Sequence, residues 1–264
     1  MEVKTIKTIV KKFIRASGYT ILKIPNTSYY EDGLFSIHNH EFVDDTLFRR
    51  AYGRGVVAAG EYNWRWRVHI GLWAAYSASL LEGDFVECGV NRGFLSSAIM
   101  DSLDWDTLGK TFFLLDTFSG LDGRYVSDAE IRSGALQMNK ELLESGFYVQ
   151  GAESVQANFS QWKNVRIIPG SIPDTLNLVA TGNVAYLHID MNSAPPEVAA
   201  FDFFWERLVP GAFVLLDDYA YCGREIQKSA MDAAAANKRV KIASLPTGQG
   251  LLIKPTYLNM DTRG

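Results

Sequence analysis

From about residue 83 to 254 the chain alternates short apolar runs with stretches of helical period. Gly83-Asp84-Phe85-Val86-Glu87-Cys88, Thr111-Phe112-Phe113-Leu114-Leu115-Asp116, Val165-Arg166-Ile167-Ile168, Val184-Ala185-Tyr186-Leu187-His188-Ile189-Asp190 and Ala212-Phe213-Val214-Leu215-Leu216-Asp217-Asp218 are nearly continuous in apolar residues. Runs of that kind predict strands buried on both faces. Between and before them the spacing predicts helices. Trp66, Ile70, Trp73, Ser77 and Leu80 recur at three and four residues over 64–81, and Gly83 stops that helix. Further helices are predicted from Phe94, over Ser127 to Ser145, over Glu153 to Trp162, and from Pro195-Pro196 through Trp205. Lys241–Leu245 and Gly250–Lys254, about Pro246-Thr247-Gly248-Gln249, predict a closing hairpin. Strands alternating with helices imply an α/β fold: a doubly wound, mostly parallel sheet of seven strands with an antiparallel edge at the C-terminal end.

The first 60 residues read differently and are expected to form an extension to a domain over 61–264. Over 1–24, Lys4, Lys7, Lys11, Lys12 and Arg15 lie opposite Val3, Ile6, Ile9, Val10, Phe13 and Ile14, an amphipathic helix with a basic face that Gly18 and Pro25 end. Such a helix covers a core, packs on a partner subunit, or rests peripherally on an anionic membrane surface. Ser28 to Gly60 is irregular and aromatic, with Tyr29, Tyr30, Phe35, Phe42, Phe48 and Tyr52. It is expected to be either a lid over the site or a packing arm. His38 and His40 stand two apart in it, a weak metal signal without a third ligand.

Composition narrows the classes. At 264 residues and 47% hydrophobic content the chain can bury a large core. No apolar run approaches the roughly 18 residues of a membrane span, and the N-terminus does not read as a secretory signal, so a soluble, cytoplasmic protein is expected. Lys+Arg 26 against Asp+Glu 30 gives a net charge of -4 with no basic stripe, which argues against nucleic acid as a partner. Cys88 and Cys222 indicate neither a disulfide nor zinc.

The candidate chemistry gathers where strands end. Glu87, Gly89 and Gly93 form E-x-G-x-x-x-G, not the G-x-G-x-x-G that aims a helix N-terminus at a pyrophosphate. A carboxylate there suits a cationic ligand such as S-adenosylmethionine better than a dinucleotide. Asp116, ending the second strand, is placed to accept from ribose hydroxyls or to cap the turn through Thr117 and Ser119. Gly170 and Ser171 follow the third strand, where an adenine edge commonly lies. Asp190, Asp217 and Asp218 end the fourth and fifth strands. Three converging carboxylates would call for a hard cation such as Mg²⁺ unless they cap turns or face solvent. His188, two residues before Asp190, reads as a core histidine or as a neighbour of that acid.

Taken together these residues resemble the macrocin O-methyltransferase family, class I enzymes that use S-adenosylmethionine to methylate sugar hydroxyls. The likeness runs from about Phe42 to Lys254. It rests on Gly83–Gly93, on Leu115-Asp116-Thr117-Phe118-Ser119-Gly120, on Gly170-Ser171-Ile172-Pro173-Asp174-Thr175-Leu176, and on Leu215-Leu216-Asp217-Asp218-Tyr219. The fold it implies is Rossmann-like. The cofactor-binding set it implies is Glu87, Gly89, Asn91, Gly93, Asp116, Thr117, Gly170 and Ser171, with Glu87 and Gly89 on the methionine moiety, Asp116 on the ribose, and Gly170 and Ser171 bordering the adenine. Asp190, Asp217 and Asp218 match acids that hold a divalent metal in characterised relatives, where the metal binds neighbouring sugar hydroxyls. One departure stands out: those relatives tend to read D-x-D after the fourth strand, and this chain reads Asp190-Met191-Asn192. Asn192 cannot take a proton at neutral pH. The catalytic candidates are therefore Asp190, His188 and Asp218, with His38 or His40 as further proton acceptors from a lid, unless metal activation suffices. The expected function is Mg²⁺-assisted O-methylation of a sugar or glycosylated small molecule by a homo-oligomer. The alternative is a cofactor-binding protein without turnover, docked on a glycan or natural-product assembly.

Overall fold

The computed structural model of the protein describes residues 3–18 and 28–256 and contains two compact units, Met1–His40 and Glu41–Gly264. In the first, helix α1 spans Val3–Ala16. Its Phe13 is exposed, as is Val10, while the side chains of residues 3–7 and 9, and the segment holding Pro25, lie outside the described residues. Strands β1 (Tyr29–Glu31) and β2 (Leu34–Ser36) pair antiparallel about Asp32-Gly33, both with positive φ, the backbone a tight two-residue hairpin requires. His38 and His40 fall beyond β2 rather than on a strand.

The second unit opens with helices α2 (Thr46–Ala59) and α3 (Arg65–Ser79). The sequence-predicted irregular segment over 28–60 thus contains a full helix. Asp45 starts it by accepting from the Phe48 amide at 2.9 Å. Gly53 and Gly55 hide the helical pattern from a periodicity reading, and Gly55 has a packing reason: a Cβ there would stand 2.6 Å from the Phe94 ring.

There follow β3 (Asp84–Cys88), α4 (Phe94–Ser102), β4 (Phe112–Asp116), α5 (Asp128–Arg132), α6 (Ala135–Glu144), α7 (Glu153–Phe159), β5 (Val165–Pro169), β6 (Val184–Ile189), α8 (Ala194–Trp205), β7 (Leu208–Leu216), α9 (Glu225–Asn237), β8 (Ala243–Ser244) and β9 (Gly250–Ile253). The helix predicted over 127–145 is two, α5 and α6, broken at Gly134 in left-handed backbone.

The sheet has seven strands in the order β5-β4-β3-β6-β7-β9-β8, parallel except where β9 pairs with β7 and β8. Alternate strand residues feed two cores. Val86, Phe113, Leu187 and Val214 pack with Phe201 and Met231 on one face; Phe85, Leu114, Tyr186 and Phe213 pack with Ala74, Ile99 and Phe159 on the other. Among the described residues no helix is long and apolar enough to cross a membrane.

The chain winds outward through β3, β4 and β5, then returns to lay β6 against β3. That reversal between β3 and β6 is where an open α/β sheet forms a crevice beyond its strand ends.

Candidate active site at the β3–β6 switch

Register puts Glu87 of β3 directly beside His188 of β6. With Asp217, just past β7, they point to the face covered by α3. Glu87 is 3% exposed and His188 is 2% exposed. His188 Nδ1 lies 2.8 Å from Glu87 Oε1, and its Nε2 lies 3.9 Å from Asp217 Oδ1. Burial alone would lower the imidazole, but the Asp217 and Glu87 carboxylates outweigh it and raise it to about 10. His188 is therefore held as a buried imidazolium between two acids, hydrogen-bonded through Nδ1 to Glu87, while its Nε2 has no hydrogen-bond partner among the described residues.

The glycine loop wraps over this end of β3. Gly89 has φ 90°, and a Cβ there would run into the Asp190 carbonyl, so the β3 and β6 backbones close on each other at this point. Asp190 N donates to Cys88 O at 2.8 Å across the same gap. Asp116 Oδ2 accepts from the Val90 and Asn91 amides at 2.7 and 2.8 Å, and its Oδ1 accepts from Phe118 N at 2.6 Å. Thr117 donates to the Gly120 carbonyl. Asn91 is used on both sides of its amide, donating to Phe147 O and accepting from Val149 N. Gly93 starts α4 in left-handed backbone against the Phe159 ring. Gly170 N donates to Asp116 O, and Ser171 donates to Asp122, whose carboxyl is held low chiefly by Arg124 and then by Ser171. Of the eight expected cofactor residues, Glu87 and Asp116 thus sit at the C-terminal ends of β3 and β4, and the other six lie on the turns that follow β3, β4 and β5.

Beside the loops, Glu87 Oε2 and Asn192 Oδ1 are buried acceptors with no hydrogen-bond partner among the described residues. A buried unpaired acceptor is costly unless a ligand donates to it. Burial pushes the Asp190 carboxyl up, with Asp217 and Asp218 adding to it. Tyr148 is raised by burial and then by Asp190.

The acidic trio has a different arrangement from the expected Mg²⁺ site. Among the described residues no group of three or more His, Cys, Asp or Glu side chains could hold a metal ion. A guanidinium stands among these acids instead: Arg67 of α3, 6% exposed, pairs with Asp217 Oδ2 and reaches Asp218 Oδ1 at 3.2 Å. Arg224 Nε faces Asp218 Oδ2 at 3.4 Å, and Gln249 donates to Asp217 Oδ1 at 3.1 Å. The expected ligand set therefore does not fit a divalent ion as it stands. Arg67, Arg224, Tyr148 and Gln249 were not legible in the sequence as site residues. A signal was present for one of them, Arg67, set between Trp66 and Val68 near the start of a largely apolar helix.

Comparison with known proteins adds to this geometry. A family profile described as macrocin-O-methyltransferase (TylF) matches residues 74–241. The chain is 33% identical over 146 residues to an 8-demethyl-8-(2,3-dimethoxy-alpha-L-rhamnosyl)-tetracenomycin-C 4'-O-methyltransferase of Streptomyces olivaceus, covering 52% of this chain and 53% of the relative. It is 28% identical over 148 residues to a mycinamicin III 3''-O-methyltransferase of Micromonospora griseorubida, covering 52% and 55%. It spans about half the length of the curated relatives it matches. Among solved structures, the O-methyltransferase NovP superposes with a TM-score of 0.66 at 18% identity, over 81% of this chain and 98% of that one. The calicheamicin methyltransferase CalS11 superposes with 0.58 at 15% identity, over 82% and 94%. Both share the fold.

Proposed function

The chain belongs to the macrocin-O-methyltransferase family, and from that membership we propose that it is an S-adenosylmethionine-dependent O-methyltransferase acting on a hydroxyl of a sugar or glycosylated small molecule. The observation that carries the cofactor is the buried, unpartnered Glu87 Oε2 beside the Gly89 turn. S-adenosylmethionine, when bound, supplies an electrophilic methyl group on a sulfonium. Glu87 Oε2 fits the methionine ammonium, and its other oxygen, tied to His188, keeps it aimed. Asp116 fits the ribose hydroxyls: each carboxylate oxygen can accept more than one hydrogen bond, so it can bind sugar while bracing the loop. Asn91, Gly93 and Thr117 hold the two loops in shape, and Gly170 and Ser171 edge the adenine. The printed activities of the two curated relatives support a glycosylated acceptor.

Transfer to a hydroxyl requires alignment and a proton acceptor. His188 is hydrogen-bonded to Glu87 and faces Asp217, and Asp218 is paired with Arg67 and Arg224, whereas the Asp190 carboxylate has, among the described residues, one long side-chain hydrogen bond, from Asn192 Nδ2 at 3.5 Å. We assign the proton to Asp190. A second reading, cofactor binding without turnover, is favoured by Asn192 standing where an acid was expected.

Calorimetric titration with S-adenosylhomocysteine tests the cofactor: tight binding is expected in the wild type and should be lost in Glu87→Gln. Folded wild-type protein that fails to bind ends the methyltransferase reading. Turnover on a panel of diol-containing sugars then separates the two readings. In Asp190→Asn, kcat should fall by about 10²–10⁴ while affinity for S-adenosylhomocysteine stays; equal loss of both would remove Asp190 from the chemistry.

A further inference from the structure

The acids that the family resemblance assigns to a metal have been given another cation. Arg67 leaves α3 within its first turn and reaches the strand ends as a buried side chain. Its Nη1 donates to the Asp217 carbonyl at 3.2 Å and to Asp218 Oδ1 at 3.2 Å, and it forms the ion pair with Asp217 Oδ2. Its guanidinium carbon lies 5.8 Å from the Trp64 ring centroid and 5.0 Å from that of Tyr221, so aromatic faces bound it on two sides. The remaining oxygens are also engaged: Asp217 Oδ1 by Gln249, and Asp218 Oδ2 by Arg224. Every carboxylate oxygen of this pair thus faces a donor supplied by the chain.

A divalent ion could bind Asp217 and Asp218 only by displacing that guanidinium. Arg is charged at every accessible pH, so it could not yield by losing a proton. It would remain a buried cation pressed against a dication, with its two carboxylates withdrawn. Mg²⁺ is also exacting, demanding near-octahedral oxygen ligands at about 2.1 Å and keeping much of its water. A rigid pair already bridged by a planar fork offers no such geometry.

We propose that Arg67 takes the place of a divalent cation in this chain, so that its acidic cluster is neutralised from within and the site works without a bound metal. This rests on the methyltransferase reading for its consequence, though not for its geometry. Arg67 is a positioning residue here: it fixes Asp217, which faces His188 at 3.9 Å, and it acts on Asp190 through its charge, without a hydrogen bond to that acid among the described residues.

Two independent measurements on the full chain decide it. Binding of S-adenosylhomocysteine by calorimetry reports on the methyltransferase reading alone. Mn²⁺ binding, followed by the loss of the free-ion electron paramagnetic resonance signal, reports on the cation. The wild type should bind S-adenosylhomocysteine equally with EDTA or with excess Mg²⁺, and should leave the Mn²⁺ signal undiminished. Arg67→Met, which keeps the apolar stem between Trp64 and Tyr221, should gain a Mn²⁺ site that Asp217→Asn added to it abolishes. A merely structural arginine would give no such gain. Stoichiometric Mn²⁺ uptake by the wild type, lost in Asp217→Asn, overturns the proposal whether or not Arg67→Met folds. So does a folded Arg67→Met that takes up no Mn²⁺.

Discussion

His188 illustrates how neighbours rather than residue type fix a role. In isolation it would titrate near neutrality and serve as a base, but between Glu87 and Asp217 it is raised to about 10 and keeps its proton. Removing it should leave the Glu87 carboxylate buried without a counter-charge. His188→Leu is therefore expected to lose about 3–5 kcal/mol in denaturant unfolding, and adding Glu87→Gln should recover a large part, which a double-mutant cycle reads directly. Glu197, on α8, presents the opposite case. Its carboxyl is pushed from the ordinary 4.5 up to about 7 by burial, then eased back by Gln227; Asp218 adds to the rise, and the Met191 backbone and Arg224 oppose it. Because the folded protein holds this proton more tightly than the unfolded chain, stability is greatest below about pH 4.5 as far as this group is concerned. It falls as pH rises through about 7. Glu197→Gln should remove that slope and gain at most about 3 kcal/mol above pH 7, seen as a flatter curve of unfolding free energy against pH.

At the scale of elements, β3, β4, β6 and β7 were legible because each is an apolar run with a carboxylate at its C-terminal end, whereas the β1–β2 hairpin lies in the segment expected to be irregular. Glu87, Asp116 and Asp190 mark the ends of β3, β4 and β6 in the sequence as they do in the fold. Helix α2 was not legible, because its two interior glycines argue against a helix by propensity and the reason for one of them lies 39 residues away in Phe94. Gly→Ala within a helix ordinarily gains about 1 kcal/mol. Gly55→Ala should reverse that sign, since the added carbon would stand 2.6 Å from the Phe94 ring and 2.9 Å from its backbone oxygen. A net loss of about 1–3 kcal/mol is expected, with α2 and α4 pushed apart; unchanged or higher stability would mean the contact relaxes freely. The break between α5 and α6 was missed for a related reason. Gly134 sits inside a helix-like pattern, and its φ of 93° cannot be read from periodicity. The acidic cluster marks the same limit at the site: the carboxylates were visible by position, whereas their partner Arg67 comes from α3, about 150 residues earlier in the chain.

Over the molecule as a whole, the site draws its rigidity from the centre of the sheet. β3 and β6 are flanked on both sides by parallel neighbours and packed on both faces, and every residue of β6 is buried. β8, at the far edge, is two exposed residues, and the β1–β2 hairpin has three residues per strand. Local opening needs little surface at those edges and nearly all of the core at the centre. Backbone amides of β3 and β6 should therefore exchange with solvent only through global unfolding, with a protection that tracks the unfolding free energy across denaturant. Amides of β8 and of the β1–β2 pair should exchange through local fluctuations that denaturant hardly changes. The Val90 and Asn91 amides form the informative middle case. Both donate to the Asp116 carboxylate rather than to a strand, so their protection in the free protein should drop sharply in Asp116→Asn while that of β3 stays. If the loop amides instead follow β3 in both proteins, the glycine turn belongs to the rigid centre and Asp116 is released from bracing it.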